Sequence, residues 1–288
     1  MKKLRRLGLS LVIATLFAAS LSRSTRGQTP LSGRTLRVND IEMFVEVRGT
    51  GEPLVLLHGF FTCGGTWGPV TDLLAKQYQL IIPDLRTHGR STNRAGTFTH
   101  RQAALDVYAL LDQLGVKRFK AMGISTGGMT LLHMATQQPD RIDAMVLIGA
   151  TSYFPESARA FMRQVSPDSI SAQERQGYAA CGVRDDAQIR ALKTQFRRFK
   201  DSYDDMNFTP PLLGSIKART LIVHGDRDHL FPVDIPVEMY RAIPGAALWI
   251  VPNSGHIPFF ADIWPPWRQL REFQDVALAF LQSPQGMR

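Results

Sequence analysis

Short, almost continuous apolar runs alternate with longer amphipathic stretches through most of this sequence. The apolar runs are rich in valine, isoleucine, leucine and methionine, which is typical of parallel strands covered by helices on both faces. They occupy residues 54–57, 80–82, 119–124, 144–148, 220–223 and 248–251. The amphipathic stretches predict helices at residues 67–76, 100–114, 126–138, 236–243 and 267–281. This alternation predicts a doubly wound α/β fold with a mostly parallel sheet.

Two segments depart from that alternation. Residues 35–48 alternate between polar and apolar positions and break at Asn39-Asp40, so they predict an antiparallel hairpin at the sheet edge. Residues 151–215 carry helical patterns but no strong strand. We therefore expect a helical cap inserted between strands, within a core made of residues 29–150 and 216–288. Because ligands of open α/β sheets bind at the carboxyl ends of the strands, a cap inserted there would cover the site.

The N-terminus has the pattern of an export signal. Lys2, Lys3, Arg5 and Arg6 precede an apolar run over residues 7–19, and small and polar residues follow it. This order predicts a secretory signal peptide over residues 1–28, because the apolar run is too short to cross a bilayer comfortably. We expect export to the periplasm or the cell exterior, with no stable membrane anchor after cleavage. An uncleaved anchor is the alternative.

The net charge of +9 changes this picture little. Cleavage after Gly27 would remove six basic residues and no acid, which leaves +3 on the remaining chain. A mild surplus spread along the sequence is not the footprint of a nucleic-acid-binding protein, so we expect a small-molecule substrate as the partner. The oligomeric state is left open. With 288 residues, of which 44% are hydrophobic, the chain can bury one sizeable core.

Two cysteines, Cys63 and Cys181, match no metal-ligand spacing. In an oxidising compartment they could form a disulfide between a loop near the strand ends and the cap. Two free, partly buried thiols are the simpler interpretation, because the sequence supplies no distance between them.

The first chemical motif lies between a predicted strand and a predicted helix. Residues 123–128 read Gly-Ile-Ser-Thr-Gly-Gly, a G-x-S-x-G pattern in the strand–turn–helix setting that exposes a nucleophile. Ser125 is therefore the candidate nucleophile. The amide of Thr126 begins the helix, where positive partial charge favours an oxyanion. A glycine-rich turn without catalysis is the alternative.

Three further strand ends carry matching chemistry. His58-Gly59-Phe60 follows one strand, and the amide of Phe60 is the second candidate oxyanion donor, whereas His58 is interpreted as a packed, structural residue. His224-Gly225-Asp226-Arg227-Asp228 and Asn253-Ser254-Gly255-His256 follow two other strands. A serine hydroxyl needs a neighbouring base, and a carboxylate orients that base. The order Ser, Asp, His suits this fold, with Asp226 and Asp228 both available as the acid.

Taken together, these motifs and the stretch at residues 84–91, Asp-Leu-Arg-Thr-His-Gly-Arg-Ser, resemble the α/β-hydrolase superfamily, and specifically its serine esterases and lipases. The resemblance covers roughly residues 34–281. It implies Ser125 as nucleophile, Asp228 as acid and His256 as base, with the amides of Phe60 and Thr126 as the oxyanion hole. It assigns the acid to the second aspartate of the G-x-x-D stretch.

No metal-binding motif, P-loop or dinucleotide fingerprint is present, so we expect no metal and no cofactor. Aromatic residues beside the catalytic loops and in the cap predict an apolar pocket, for which the candidates are Phe61, Tyr153, Phe154, Phe161 and Phe259. Such a pocket suits a small, apolar carboxylic ester. A lactonase, a carbon–carbon bond hydrolase and a cofactor-free perhydrolase of the same fold are alternatives, as is a non-catalytic small-molecule binding protein.

Overall fold

The computed structural model describes residues 33–183, 185–259 and 266–283. The predicted signal peptide over residues 1–28 lies outside them. Within the described part of the chain, eight strands form one sheet in the order β1-β2-β4-β3-β5-β6-β7-β8. The strands are β1 (Arg34–Val38), β2 (Ile41–Arg48), β3 (Glu52–Leu57), β4 (Tyr78–Pro83), β5 (Phe119–Ile124), β6 (Ile142–Ile148), β7 (Arg219–Gly225) and β8 (Ala247–Val251).

The first two strands form the predicted hairpin. Val38 lies opposite Ile41, and Asn39 in the turn has a φ of 50°, a left-handed conformation that asparagine tolerates better than most residues. β2 also pairs antiparallel with β4, whereas the remaining neighbours run parallel. The predicted α/β fold with a mostly parallel sheet is therefore confirmed.

Helices cover both faces of this sheet. They are α1 (Gly68–Leu74), α2 (His100–Gln113), α3 (Thr126–Gln137), α4 (Glu156–Gln164), α5 (Ala172–Ala180), α6 (Asp186–Arg198), α7 (Pro210–Leu213), α8 (Asp234–Ala242) and α9 (Pro266–Gln282). Alternate strand residues serve the two faces, so Val55 and Leu57 join one buried cluster while Leu54 and Leu56 join the other. None of the described helices combines the length and apolar character needed to cross a bilayer.

The segment between β6 and β7 forms the predicted helical cap, with α4 to α7 and a 3-10 turn at Phe199–Asp201. α5 begins with a capping box in which Ser171 and Glu174 exchange hydrogen bonds, so this short helix starts at a defined residue. Ser157 of α4 donates to the carbonyl of Leu230, at 2.7 Å, which ties the cap to a loop of the core.

Asp205, near the end of the cap, fastens the cap to the first turn of α2. Its carboxylate accepts hydrogen bonds from the amides of His100 and Arg101 and from the His100 ring, at 2.7–3.1 Å. Its carbonyl accepts from the ring of His133 on α3, at 2.6 Å. Because unpaired helix N–H groups attract a carboxylate, this contact also stabilises α2.

A disulfide joins Cys63 to Cys181, with Cα atoms 5.7 Å apart, so the simpler interpretation of two free thiols is wrong. The sequence could not decide this, because the two cysteines are separated by 118 residues. Both are almost fully buried. Cys63 lies in the loop after β3 and Cys181 follows α5, so the bond links the core to the cap.

Replacing both cysteines with serine is expected to lower the free energy of unfolding by about 2–4 kcal/mol, because the unfolded chain loses a long covalent loop. Chemical denaturation of the oxidised protein and of the Cys63→Ser/Cys181→Ser variant measures the difference. Excess reductant should destabilise the wild-type protein and leave the variant unchanged. Equal unfolding midpoints for the two oxidised proteins would contradict the expectation.

Candidate active site

Ser125 occupies the sharp turn between β5 and α3. Its φ of 49° and ψ of −112° lie in a region that residues with a side chain rarely adopt, which is a common property of functional turns. Its amide donates to the carbonyl of Ile148 on the neighbouring strand at 2.7 Å, which holds the turn in place. The hydroxyl is half-buried at the carboxyl end of the sheet.

The glycines of the motif are required by close packing around this turn. A Cβ on Gly123 would lie 2.5 Å from the backbone of Gly127. A Cβ on Gly127 would lie 2.1 Å from the carbonyl oxygen of Leu57 on β3, a backbone atom that cannot easily move. The strand and helix therefore approach each other only because these two positions lack side chains.

Asp228 and His256 lie on the loops that follow β7 and β8. The Nδ1 atom of His256 is 2.8 Å from a carboxylate oxygen of Asp228, and its Nε2 atom is 3.0 Å from the hydroxyl oxygen of Ser125. Since a carboxylate can only accept, Nδ1 carries the proton and Nε2 presents a lone pair to the serine hydroxyl. The three predicted catalytic side chains thus form one hydrogen-bonded line.

The Asp228 carboxylate is buried but well supplied with donors. One oxygen accepts from the amides of Leu230 and Phe231, at 2.8 and 3.1 Å. The other accepts from His256, and a ring nitrogen of His224 lies 3.4 Å away. Burial by itself would raise the pKa of Asp228, but His256 and these donors together lower it. The carboxylate therefore stays ionised at neutral pH.

Asp226, the alternative acid, takes part in a different hydrogen bond. Its carboxylate accepts from the backbone amide of Ser254 at 3.1 Å, and it is exposed to solvent. Asp228 is the aspartate that reaches the His256 ring. From the sequence, Asp226 and Asp228 differ only by resemblance to the α/β-hydrolase pattern, because both follow the same strand.

The predicted oxyanion donors belong to segments that lie near Ser125. Phe60 and Thr126 both line the cavity that contains the serine, and a Cβ on Gly59 would lie 3.7 Å from the Ser125 Cβ. In the part of the chain that the structure describes, neither amide donates to a protein acceptor. Two unpaired N–H groups beside a nucleophile are suited to an oxygen that gains negative charge.

His58 is a structural residue, as its interpretation from sequence proposed. Its Nδ1 atom donates to the carbonyl of Gly59 at 2.8 Å, and its Nε2 atom accepts from the amide of Leu85 at 2.9 Å. Burial lowers its pKa, so the ring is neutral. Both nitrogens are therefore occupied in holding the loop after β3 against the loop after β4.

A cavity of about 110 Å³ opens beside Ser125 between core and cap. Phe61, Phe154 and Phe161 line it, as predicted. Its wall is otherwise mostly apolar. The further lining side chains, beside the catalytic and oxyanion-hole residues, are Thr62, Thr66, Ile124, Met129, Ala158, Met162, Phe196, Phe199, Leu230, Phe231 and Ile257. Among the described lining residues, His256 is the one with an ionisable side chain.

Two predicted pocket residues, Tyr153 and Phe259, lie elsewhere. Tyr153, at the start of the cap, is 39% exposed and forms an isolated backbone bridge with Asn207, and its side chain does not line the cavity. Phe259 is buried in the cluster on the other side of the sheet. Its ring centroid lies 5.0 Å from that of Trp249 and 5.1 Å from that of Phe273. Proximity in sequence to a catalytic loop did not determine which way either ring points.

Some of these further lining residues carried a weak signal in the sequence. Phe196 and Phe199 are three residues apart within the helical pattern predicted for the cap, a spacing that places both on one face. Leu230 and Phe231 lie two and three residues after the acid, but nothing in the pattern indicates that this loop folds back toward the serine. Its direction depends on the amides that donate to Asp228.

Comparison with known proteins agrees with this fold. A family model described as the alpha/beta hydrolase fold matches residues 52–171. The chain is 25% identical to a 2-hydroxy-6-oxo-6-phenylhexa-2,4-dienoate hydrolase of Comamonas testosteroni, over 85% of this chain and 93% of that protein. It is also 25% identical to a pimeloyl-[acyl-carrier protein] methyl ester esterase of Nitrosomonas europaea, over 75% and 93%. The enol-lactonase structure from Burkholderia xenovorans LB400 superimposes with a TM-score of 0.68 at 21% identity, over 86% and 100%.

The described structure has the α/β-hydrolase fold. The named relatives are hydrolases, which supports hydrolase activity for a chain of this fold.

Substituting Gly127 with alanine is expected to destabilise the protein by several kcal/mol, because the new methyl group would collide with the Leu57 carbonyl. Thermal unfolding of Gly127→Ala measures this. Gly245→Ala is the matched control, since its added Cβ meets no atom within 4 Å and only its φ of +66° opposes alanine. Its cost should be about 1 kcal/mol. Similar unfolding temperatures for the two variants would contradict the steric account.

Proposed function

We propose that this protein hydrolyses a small, uncharged carboxylic ester through an acyl-enzyme on Ser125. The observation that carries the proposal is the hydrogen-bonded line from Asp228 through His256 to the Ser125 hydroxyl, with distances of 2.8 and 3.0 Å. This is the arrangement that a weak hydroxyl nucleophile needs at neutral pH.

In the proposed reaction, the Ser125 oxygen attacks the ester carbonyl carbon while His256 takes its proton. The carbonyl oxygen becomes negative and receives hydrogen bonds from the amides of Phe60 and Thr126. The tetrahedral intermediate collapses, the carbon–oxygen bond to the alcohol breaks, and His256 returns the proton to the leaving alcohol. Water then attacks the acyl-enzyme with the same base, which releases the carboxylic acid and restores the serine.

Asp228 supports the cycle electrostatically. Its ionised carboxylate holds the His256 ring in the tautomer that accepts the serine proton, and it stabilises the imidazolium that forms. The amides of Leu230 and Phe231 hold the other carboxylate oxygen, so the acid cannot rotate away. The cap and the mostly apolar wall cover the site, and surroundings of low polarity strengthen each of these interactions.

The lining favours an uncharged substrate. The relative from Comamonas testosteroni is named for a dienoate, which carries a carboxylate. Burying a carboxylate without a cationic partner is strongly unfavourable. Arg159, a buried cation of the cap, donates to the carbonyls of Phe154, Phe199, Lys200 and Ser202 instead. An ester without a charge therefore fits the described wall better than a dienoate.

Export is also proposed, from the N-terminal pattern of residues 1–28. The Cys63–Cys181 disulfide supports it, because disulfides persist in oxidising compartments and are rare in reducing ones.

Ser125→Ala is expected to lower kcat for simple esters at least about 10³-fold, because the nucleophile is lost. Hydrolysis of p-nitrophenyl acetate and butyrate measures the effect, and labelling by a fluorophosphonate probe should vanish in the same variant. Small lactones form a second arm of the screen. Turnover by the variant at the wild-type rate would exclude the acyl-enzyme mechanism.

Asp228→Asn should reduce kcat about 10²–10⁴-fold, because the amide no longer favours the required His256 tautomer. Asp226→Asn is the matched control, since the same chemical change falls on an exposed aspartate two residues away. Its kcat should stay within about threefold of wild type. The assignment of the acid is wrong if the two variants lose activity equally.

A further inference from the structure

Two half-buried aromatic rings lie side by side in the cavity wall. Among the described cap residues that line the cavity, Phe196 is the one that is half-buried, while the others are buried. Phe61, in the core loop after β3, is half-buried too. The two ring centroids are 4.6 Å apart. Core and cap therefore each contribute one partly solvent-exposed ring to the wall of the cavity.

Phe196 is in contact with rings from both parts of the wall. Its centroid lies 5.3 Å from that of Phe60 in the core and 6.0 Å from those of Phe161 and Phe199 in the cap. Such offset and edge-to-face contacts stabilise aromatic clusters. A change in this single side chain would alter the space between several walls of the cavity at once.

The helix that carries Phe196 is held at both ends. Near the start of α6, the side chain of Gln188 donates to the carbonyls of Thr87 and Gly89 in the core, at 2.6 and 3.0 Å. At its end, Arg197 donates to two carbonyls at the C-terminus of α4, both at 2.9 Å. α6 is therefore tied to the core near its start and to α4 of the cap at its end.

Phe61 lies in a loop whose backbone is also held in place. Phe61 has a φ of 66°, which is unfavourable for a residue with a large side chain and is kept only where the surroundings require it. The next residue, Thr62, donates from its side chain to the Gly59 carbonyl at 2.8 Å, closing the turn that contains Phe61. The disulfide at Cys63 then ties this loop to the cap.

We propose that Phe61 and Phe196 form an aromatic gate that limits the size of the ester, with Phe196 as the principal specificity-determining residue. This inference rests on the proposed function, since it takes the cavity beside Ser125 as the substrate site. A volume of about 110 Å³ corresponds to about four water-sized groups, at the ~30 Å³ that each water occupies in the liquid. Long-chain esters exceed this volume, so part of their chain lies against the gate.

The test varies the substrate in two directions. One series consists of methyl esters from acetate to decanoate, and the other consists of acetates from methyl to decyl. The wild-type protein is expected to lose kcat/KM steeply at the larger members of each series. Phe196→Ala should raise kcat/KM for the larger members at least about tenfold relative to methyl acetate, in at least one series. Phe196→Trp should shift the limit toward smaller esters.

Phe208→Leu is the matched control, because Phe208 is a buried aromatic residue of the same segment that packs against His133 and not against the cavity. Its size profile should follow the wild-type profile. The proposal is overturned if Phe196→Ala and Phe196→Trp both keep the wild-type profile within threefold in both series, or if Phe208→Leu changes it as much as they do.

A binding measurement separates this inference from the proposed reaction. Calorimetry on Ser125→Ala and on Ser125→Ala/Phe196→Ala gives the affinity for uncleaved methyl octanoate and methyl butyrate without turnover. If the gate limits ester size, Ser125→Ala/Phe196→Ala should bind methyl octanoate more tightly than Ser125→Ala does. This gain in affinity should be about tenfold larger than the gain for methyl butyrate. Equal gains would refute the gate, whereas wild-type protein that cleaves none of the esters would refute the ester hydrolase alone.

Discussion

The site depends on one hydrogen-bonded line, in which His256 stands between Asp228 and Ser125. These residues are far apart along the chain, and they meet because β5, β7 and β8 end at the same edge of a parallel sheet. The line also requires that a serine accept a strained backbone conformation and that glycines surround it, so strand, turn and helix can pack closely. The sheet, the turn at Ser125 and the loops that carry Asp228 and His256 must therefore all be in place for the line to form.

The cap makes that line into an enclosed site. It is attached to the core by a disulfide, by the Asp205 carboxylate at the start of α2 and by Gln188 on α6. Each attachment joins the cap to a segment near the carboxyl ends of the strands. A roof fixed at several points keeps the cavity small and apolar, which favours selection by shape and charge over adaptation to a large substrate.

The buried histidines near the site have different surroundings and different uses. Burial lowers the pKa of His58 and of His224, and each has a ring nitrogen bonded to a backbone carbonyl, so both hold loops as neutral rings. His256 differs because its second nitrogen faces a hydroxyl group at the cavity. The position of a histidine relative to the open space, more than its residue type, separates a structural ring from a candidate base.

The sequence by itself determined the fold class, the edge hairpin, the cap and the positions of Ser125 and His256, because apolar periodicity and short motifs are local properties. It separated Asp228 from Asp226 only by resemblance to a known family. It could not determine whether Cys63 and Cys181 pair, that the Tyr153 side chain is exposed, or that Phe259 packs in the buried cluster on the other side of the sheet from the cap. It also left Phe196 out of the pocket. Those outcomes depend on the directions in which loops and cap helices cross the strand ends, and only tertiary packing fixes these directions.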